Sequence, residues 1–169
     1  MLENDGQLFD EAYHMHGGSI RAFFFGHTQN HDASADLTQE TYLRVWRHIE
    51  TLKRIPAERR RFWLFAIAKN ILADYYRRRS VQERYEMRMM ESAGGWDTLL
   101  AVENGETLAA ANQAIKRLPE NLREVLALHT MGEMSSEEIG EVLSRPSGTV
   151  RYQLSQARKM INELLGSSE

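Results

Sequence analysis

The sequence predicts an all-α protein: two small helical domains, over residues 1–80 and 106–169, joined by a flexible linker over 81–105. Three observations carry this. Apolar residues recur at helical spacing along most of the chain, with no run of strand-like alternation. Helix breakers are scarce, with 11 glycines and 3 prolines in 169 residues. The periodicity lapses between Val81 and Gly105, where Gly94-Gly95 and an acidic composition dotted with Met87, Met89 and Met90 interrupt it. An apolar content of 42% is ordinary for a soluble chain. Cysteine is absent, which excludes a disulfide framework and a thiolate metal site. The longest wholly apolar run, Phe62 to Ala68, is too short to span a bilayer, and no secretory leader is visible. A cytoplasmic protein without membrane insertion of its own is expected.

Two short helices are expected between Gly6 and His27, broken at Gly17-Gly18, with Ile20, Phe23 and Phe24 as core. A helix from about Asp32 to Leu52 follows, with Asp32 its N-cap and Leu37, Thr41, Val45 and Ile49 its buried line. On that helix Asp36, Glu40, Leu43 and Arg47 recur at steps of four, three and four, with Gln39 alongside. Such a stripe suits docking of another protein's helix, and equally suits a plain solvated face. Pro56 makes Leu52 to Arg61 a basic loop.

A long helix from Arg61 to Ser80 then buries Leu64, Ile67, Ala68, Ile71, Leu72 and Tyr75, with Lys69, Ala73, Tyr76 and Arg77 along the other side. Between Lys53 and Arg79 nine basic residues face two acids, Glu58 and Asp74, a concentration hidden by the overall net charge of −3. Aromatics beside cations suit single-stranded DNA, because rings stack on unpaired bases while arginine and lysine hold the backbone. Core packing of Trp63 and Phe65, and the helix macrodipole acting on Arg77-Arg78-Arg79, are the more ordinary account of the same residues on spacing alone.

Helical pattern resumes at Glu106 with Leu108, Ala111, Ile115 and Leu118, then Pro119, then Leu122, Val125, Leu126 and His129. Met134 to Leu165 reads as two helices joined by a tight turn. Ser135 and Glu138 form a capping box. Ile139, Val142 and Leu143 make one apolar face, with Gly140 where a crossing element approaches closely. Ser144 to Gly148 breaks the pattern. A second helix buries Val150, Leu154, Ala157, Ile161, Leu164 and Leu165 and shows Arg151, Tyr152, Ser155, Gln156, Arg158 and Lys159 on its opposite face. From Arg145 to Lys159 there are four cations and no acid, whereas the preceding helix holds Glu137, Glu138 and Glu141. This segregation fits a helix-turn-helix whose second helix enters a major groove.

Four stretches in this order, DLTQETYLRVWRHI (36–49), FWLFAIAKNILADYYRRR (62–79), LPENLREVLALH (118–129) and MSSEEIGEVL with GTVRYQLSQAR (134–158), resemble the extracytoplasmic-function (ECF) sigma factors of the sigma-70 family. The resemblance covers nearly the whole chain. It implies a transcription initiation factor with no catalytic centre, cofactor or metal of its own. Its partners would be core RNA polymerase (the beta-prime clamp and the beta flap), promoter DNA and a cognate anti-sigma factor. Carried over residue by residue, it implies polymerase binding by Asp36, Gln39, Glu40, Leu43 and Arg47. It implies capture of the minus-ten element by Lys53, Arg54, Arg59, Arg60, Arg61, Lys69, Asn70, Arg77 and Arg78. It implies reading of the minus-thirty-five element by Arg145, Ser147, Thr149, Arg151, Tyr152, Ser155, Gln156, Arg158 and Lys159.

The chain departs from the family pattern at the turn, where Ser144 and Arg145 stand in place of glycine and an apolar residue. It departs again at Tyr152, Gln153 and Gln156. Glutamine pairs bidentately with adenine and contributes no phosphate charge, so an unusual minus-thirty-five preference is expected. Selection from a random library that returned the group's common motif would refute it. An ordinary helix-turn-helix regulator with an N-terminal effector domain is the main competitor, and the linker and the Phe62–Arg79 helix weigh against it. His27 and His31, four apart, with Asp32, His14 or His16, are a weak metal constellation lacking an HExxH pattern or a cysteine. Because the sequence stops soon after Leu165, regulation is expected from a separate inhibitor or from transcriptional control rather than from a C-terminal extension. The linker acids Glu83, Glu86 and Glu91 are candidates for shielding the Lys53–Arg79 surface.

Overall fold

The chain is described by a computed structural model over residues 2–85 and 105–166, with eight helices and no strand among them. These are α1 (Leu2–Thr28), α2 (His31–Arg47), α3 (Ile49–Arg54), α4 (Ala57–Tyr85), α5 (Gly105–Lys116), α6 (Glu120–Thr130), α7 (Ser136–Leu143) and α8 (Ser147–Gly166). The linker acids and methionines fall largely outside the described residues.

The first helix differs from expectation. Gly17-Gly18 does not break it, and α1 is one rod of 27 residues. Two glycines cost about 2 kcal/mol of helix propensity. Burial of Ala12, Ile20, Ala22, Phe23, Phe24 and Phe25, all at most 3% exposed, outweighs that cost. Asn30 caps α2 by accepting a hydrogen bond from the Ala33 amide at 2.9 Å, and Asp32 lies inside the first turn, where its charge suits the helix dipole. The helix expected to reach Leu52 pauses at non-helical His48 and resumes as α3. Lys53 and Arg54 are therefore helical, and the basic loop shrinks to Ile55-Pro56. Proline lacks only an amide that a helix start leaves unpaired anyway, so Pro56 starts α4 instead of interrupting the chain; its carbonyl accepts from Arg59 at 2.8 Å.

The C-terminal hairpin forms as its sequence dictates. Ser135 Oγ accepts from the Glu138 amide at 3.1 Å while Glu138 accepts from the Ser135 amide at 2.8 Å. A Cβ on Gly140 would lie 2.6 Å from the Arg145 carbonyl, so glycine lets the turn fold tightly back over α7. Ser144 ends α7 at φ 56°, ψ 46°, the left-handed conformation that glycine adopts more cheaply.

The two halves share a core. Val125, Leu128, Met134, Ile139, Val142, Val150 and Leu154 from α6–α8 and the connection before α7 join one buried cluster with Phe23, Phe24, Leu64 and Phe65. Phe25, fully buried, belongs instead to a cluster with Ile115, Leu118, Leu122, Leu126, Ala127 and Ala157. At the crossing of α1 and α6, Gly26 permits a close approach: a Cβ there would sit 3.0 Å from the Ala127 Cβ and from the Glu124 Cα.

Candidate nucleic-acid and protein-docking surfaces

Helix α2 buries Leu37, Thr41, Tyr42 and Val45, which leaves its opposite edge outward. Asp36, Gln39, Leu43 and Arg47 are exposed there. Glu40 is half-buried and accepts from Arg44 at 2.9 Å, with the Arg78 guanidinium 4.0 Å away. Sequence reasoning missed the aromatic side of this surface. Phe9 and Tyr13 of α1 line a groove of about 720 Å³ with Tyr42, Leu43 and Trp46 of α2. Their rings meet edge to face, at 5.9 Å for Phe9–Tyr42, 5.4 Å for Phe9–Trp46 and 4.9 Å for Tyr13–Tyr42. Leu43 and Trp46 remain 52% and 44% exposed, large values for apolar residues that share a wall. The i, i+3 step from Leu43 to Trp46 and the i, i+4 step from Phe9 to Tyr13 were the available signals.

The basic set around α3 and α4 is divided. Arg54, Arg59, Asn70, Arg77 and Arg78 are exposed, with Arg77 held by Asp74. Lys53 lies between Asp5 and Glu50, at 2.5 and 2.6 Å. Arg60 is half-buried, donating to the Ile55 carbonyl at 3.3 Å. Arg61 and Lys69 turn toward the C-terminal helices. Arg61 donates to Glu138 of α7 at 3.1 Å and to Glu141 at 3.2 Å. Burial pushes the Lys69 ammonium below its usual pKa, although Glu124 of α6 partly opposes this.

Helix α8 buries Val150, Leu154 and Ala157. Thr149, Arg151, Tyr152, Ser155, Arg158 and Lys159 are exposed, Tyr152 by 64%. Ser147 and Gln156 are half-buried. Arg151 donates to Glu137 at 2.9 Å. Arg145, one of the family departures, is committed inward: its guanidinium donates to Glu124 at 2.7 Å and to Gln153 at 3.5 Å. Glu124 is 4% exposed, and a carboxylate so buried needs such a partner.

Between the halves lies a polar cluster that the sequence did not reveal. The His27 ring bridges α6, with Nδ1 on Glu120 and Nε2 on Glu124 at 2.7 Å. The Tyr76 hydroxyl of α4 donates to Glu120 at 2.8 Å, and Arg123 donates to the Gly26 carbonyl at 3.4 Å. Burial alone would lower the His27 pKa, but the two carboxylates overcome it and raise it above 6.5. Burial would raise the Glu124 pKa, and His27 with Arg145 holds it below 4.5 instead. His31 does not join His27; its ring stacks on Phe25 at 4.5 Å.

Residues 12–81 match sigma-70 region 2 and residues 108–161 match sigma-70 region 4. The chain is 30% identical over 152 residues to the ECF RNA polymerase sigma factor EcfG of Rhodopseudomonas palustris, covering 87% of this chain and 79% of that one. It is 24% identical over 155 residues to the ECF RNA polymerase sigma factor SigM of Bacillus subtilis, covering 92% and 93%. Among solved structures, the sigma factor RpoE of Bartonella quintana, in complex with the anti-sigma factor NepR, shares the fold with a TM-score of 0.68. That alignment spans 95% of this chain and 98% of that one at 20% identity. The chain belongs to the ECF RNA polymerase sigma factors. Its function is accordingly that of a promoter-recognition sigma factor in transcription initiation.

Proposed function

We propose that three surfaces divide this work. The outer stripe of α2 (Asp36, Gln39, Glu40, Leu43 and Arg47), extended by Trp46 and the Phe9–Tyr13 side of the groove, docks core RNA polymerase. The basic residues of α3 and α4 from Lys53 to Arg78 capture the melted minus-ten strand. Helix α8 reads the minus-thirty-five element in the major groove. Residues 1–80 and 106–169 act as the two functional units, joined by 81–105. The protein works in the cytoplasm without a catalytic centre of its own, under a cognate anti-sigma factor such as the one that accompanies the Bartonella relative.

The observation that carries the DNA reading is the outer face of α8, where Arg151, Tyr152, Ser155, Arg158 and Lys159 are exposed beside buried Val150, Leu154 and Ala157. A helix anchored on one side with donors on the other suits groove reading. Arg145 is best placed to hold the turn, and Tyr152 and Arg151 to meet bases.

Transcription by purified core polymerase from a pool of random promoters, with and without this protein, tests the whole reading. Protein-dependent transcripts sharing two upstream motifs about 25 base pairs apart are expected, together with loss of the upstream motif alone in Arg151→Ala. Binding to a duplex operator with no response from core polymerase would replace the reading with that of an ordinary regulator.

A further inference from the structure

We propose that Arg145 sets the aim of α8 on the minus-thirty-five element without touching DNA itself, its guanidinium tying Glu124 of α6 to Gln153 of α8. The inference deepens the reading of α8 as the minus-thirty-five helix and rests on it.

Three helices of the C-terminal half meet at this one residue. The Arg145 amide donates to the Gly140 carbonyl of α7 at 2.8 Å, an approach open because Gly140 has no Cβ to strike the Arg145 carbonyl. Its guanidinium donates to Glu124 at 2.7 Å and to Gln153 at 3.5 Å. Left-handed Ser144 turns the chain immediately before it. A guanidinium holds its donors in a rigid planar fork and can serve two acceptors at once, whereas a lysine ammonium is a single point on a flexible stem.

Burial separates this arginine from the residues that face outward. The Arg145 side chain is 29% exposed and that of Glu124 is 6% exposed. Withdrawing Arg145 to a phosphate would strand a buried carboxylate, which is costly. Arg151 is placed differently: its pair with Glu137 leaves both side chains at least 60% exposed, and such a pair yields readily to a stronger partner. The two arginines therefore have separate duties, Arg151 toward DNA and Arg145 toward the protein. Gln153 is half-buried, directly beside exposed Tyr152 and three residues before Gln156. A tether at Gln153 thus fixes the stretch of α8 that carries the reading side chains. Hydrogen bonds tell base edges apart only when their donors are held within about 0.5 Å, so loss of the tether should blur the whole element rather than one base.

Holoenzyme made with core polymerase is titrated with the promoter recovered from the random pool and with every single-base variant of its two elements. Arg145→Gln removes the charge and the fork. Gln153→Met removes only the acceptor on α8 and leaves Arg145 on Glu124, so it serves even if the first variant folds poorly; thermal unfolding checks both. Each change is expected to lower discrimination across the minus-thirty-five positions about threefold to tenfold, with the double variant no worse than Arg145→Gln alone. Discrimination at the minus-ten element and the salt dependence of binding are expected to stay as in the parent.

A loss confined to one base position would make Arg145 a direct reader and overturn the proposal. A salt slope reduced by about one would make it a phosphate contact and overturn it equally. Full discrimination in folded Gln153→Met, or a lowered Tm in Arg145→Gln with discrimination intact, would reduce the link to a purely structural one. If neither Arg151→Ala nor Tyr152→Ala alters preference at the upstream element, the reading of α8 has failed and takes the proposal with it.

Discussion

Two faces of the N-terminal half are treated differently by the rest of the chain. The outer stripe of α2 is left open, with Asp36, Gln39, Leu43 and Arg47 exposed and a groove beside them. The inner face of α4 is covered, its Arg61 side chain only 23% exposed and engaged by two carboxylates. The first face is thus open to solvent, whereas the second is already engaged by the molecule's own acids. Solvent-exposed ion pairs are individually weak, contributing about 0–1 kcal/mol. The packing of the two halves therefore rests mainly on the buried seam of Phe25 and Gly26.

The largest effect is expected from breaking the seam. Phe25→Ala should lower the stability of the full chain by about 3–5 kcal/mol in urea unfolding, because its ring fills the C-terminal cluster. A loss near zero would mean that the halves do not share a core in solution. On the open face, Leu43→Asp should weaken binding to core polymerase at least about tenfold, roughly 1.4 kcal/mol, with unchanged stability and free-chain DNA affinity. Anisotropy titration with core polymerase would show it, and an unaffected affinity would remove α2 from the docking surface.

The pH response follows from the seam's polar cluster. His27 is raised above 6.5, so its contribution is complete below pH 6.5 and is lost as pH climbs through the raised value. Glu120 and Glu124 are lowered below 4.5, so theirs is complete above pH 4.5 and is lost as pH falls through the lowered values. Tyr76, Arg123, Lys69 and Arg145 also face this cluster, and burial and Glu120 together push Tyr76 far above the usual phenol range. Packing of the two halves, read as the urea stability of the full chain, should be strongest between these limits and loosen on the alkaline side. His27→Gln should flatten the alkaline arm alone. The smallest effect is expected at the turn: Ser144→Gly relieves a left-handed residue and should add up to about 1 kcal/mol, detectable as a small rise in Tm.

Local features were legible in the sequence because their causes are local. The capping box at Ser135 and Glu138, the apolar lines of α2 and α4 and the alternation of buried and exposed residues on α8 all follow from spacing within a few turns. Errors arose where distant burial overrode a local signal. Gly17-Gly18 looks like a break until Ile20 and the following phenylalanines are packed against other helices, and Pro56 looks like a loop until α4 is seen to start on it. Asn30 rather than Asp32 caps α2, a shift of two residues that composition does not resolve. The seam was invisible for the same reason: His27 and its carboxylates are 93 and 97 residues apart, and no periodicity links them. Trp46 could have been found, since it extends the Leu43 stripe by one helical step.

The unbroken course of α1 has a mechanical meaning. Tyr13 stands at the groove and His27 at the seam, fourteen residues apart on one rod, about 21 Å along its axis. A helix of that length behaves as a lever whose two ends cannot move independently. A tilt of about 5° at the groove end sweeps the far end through about 2 Å, comparable with the 2.7 Å bond from His27 to Glu124. Two flexible helices hinged at Gly17-Gly18 would absorb such a push at the joint, whereas the continuous rod carries it from the groove to the seam beside α4.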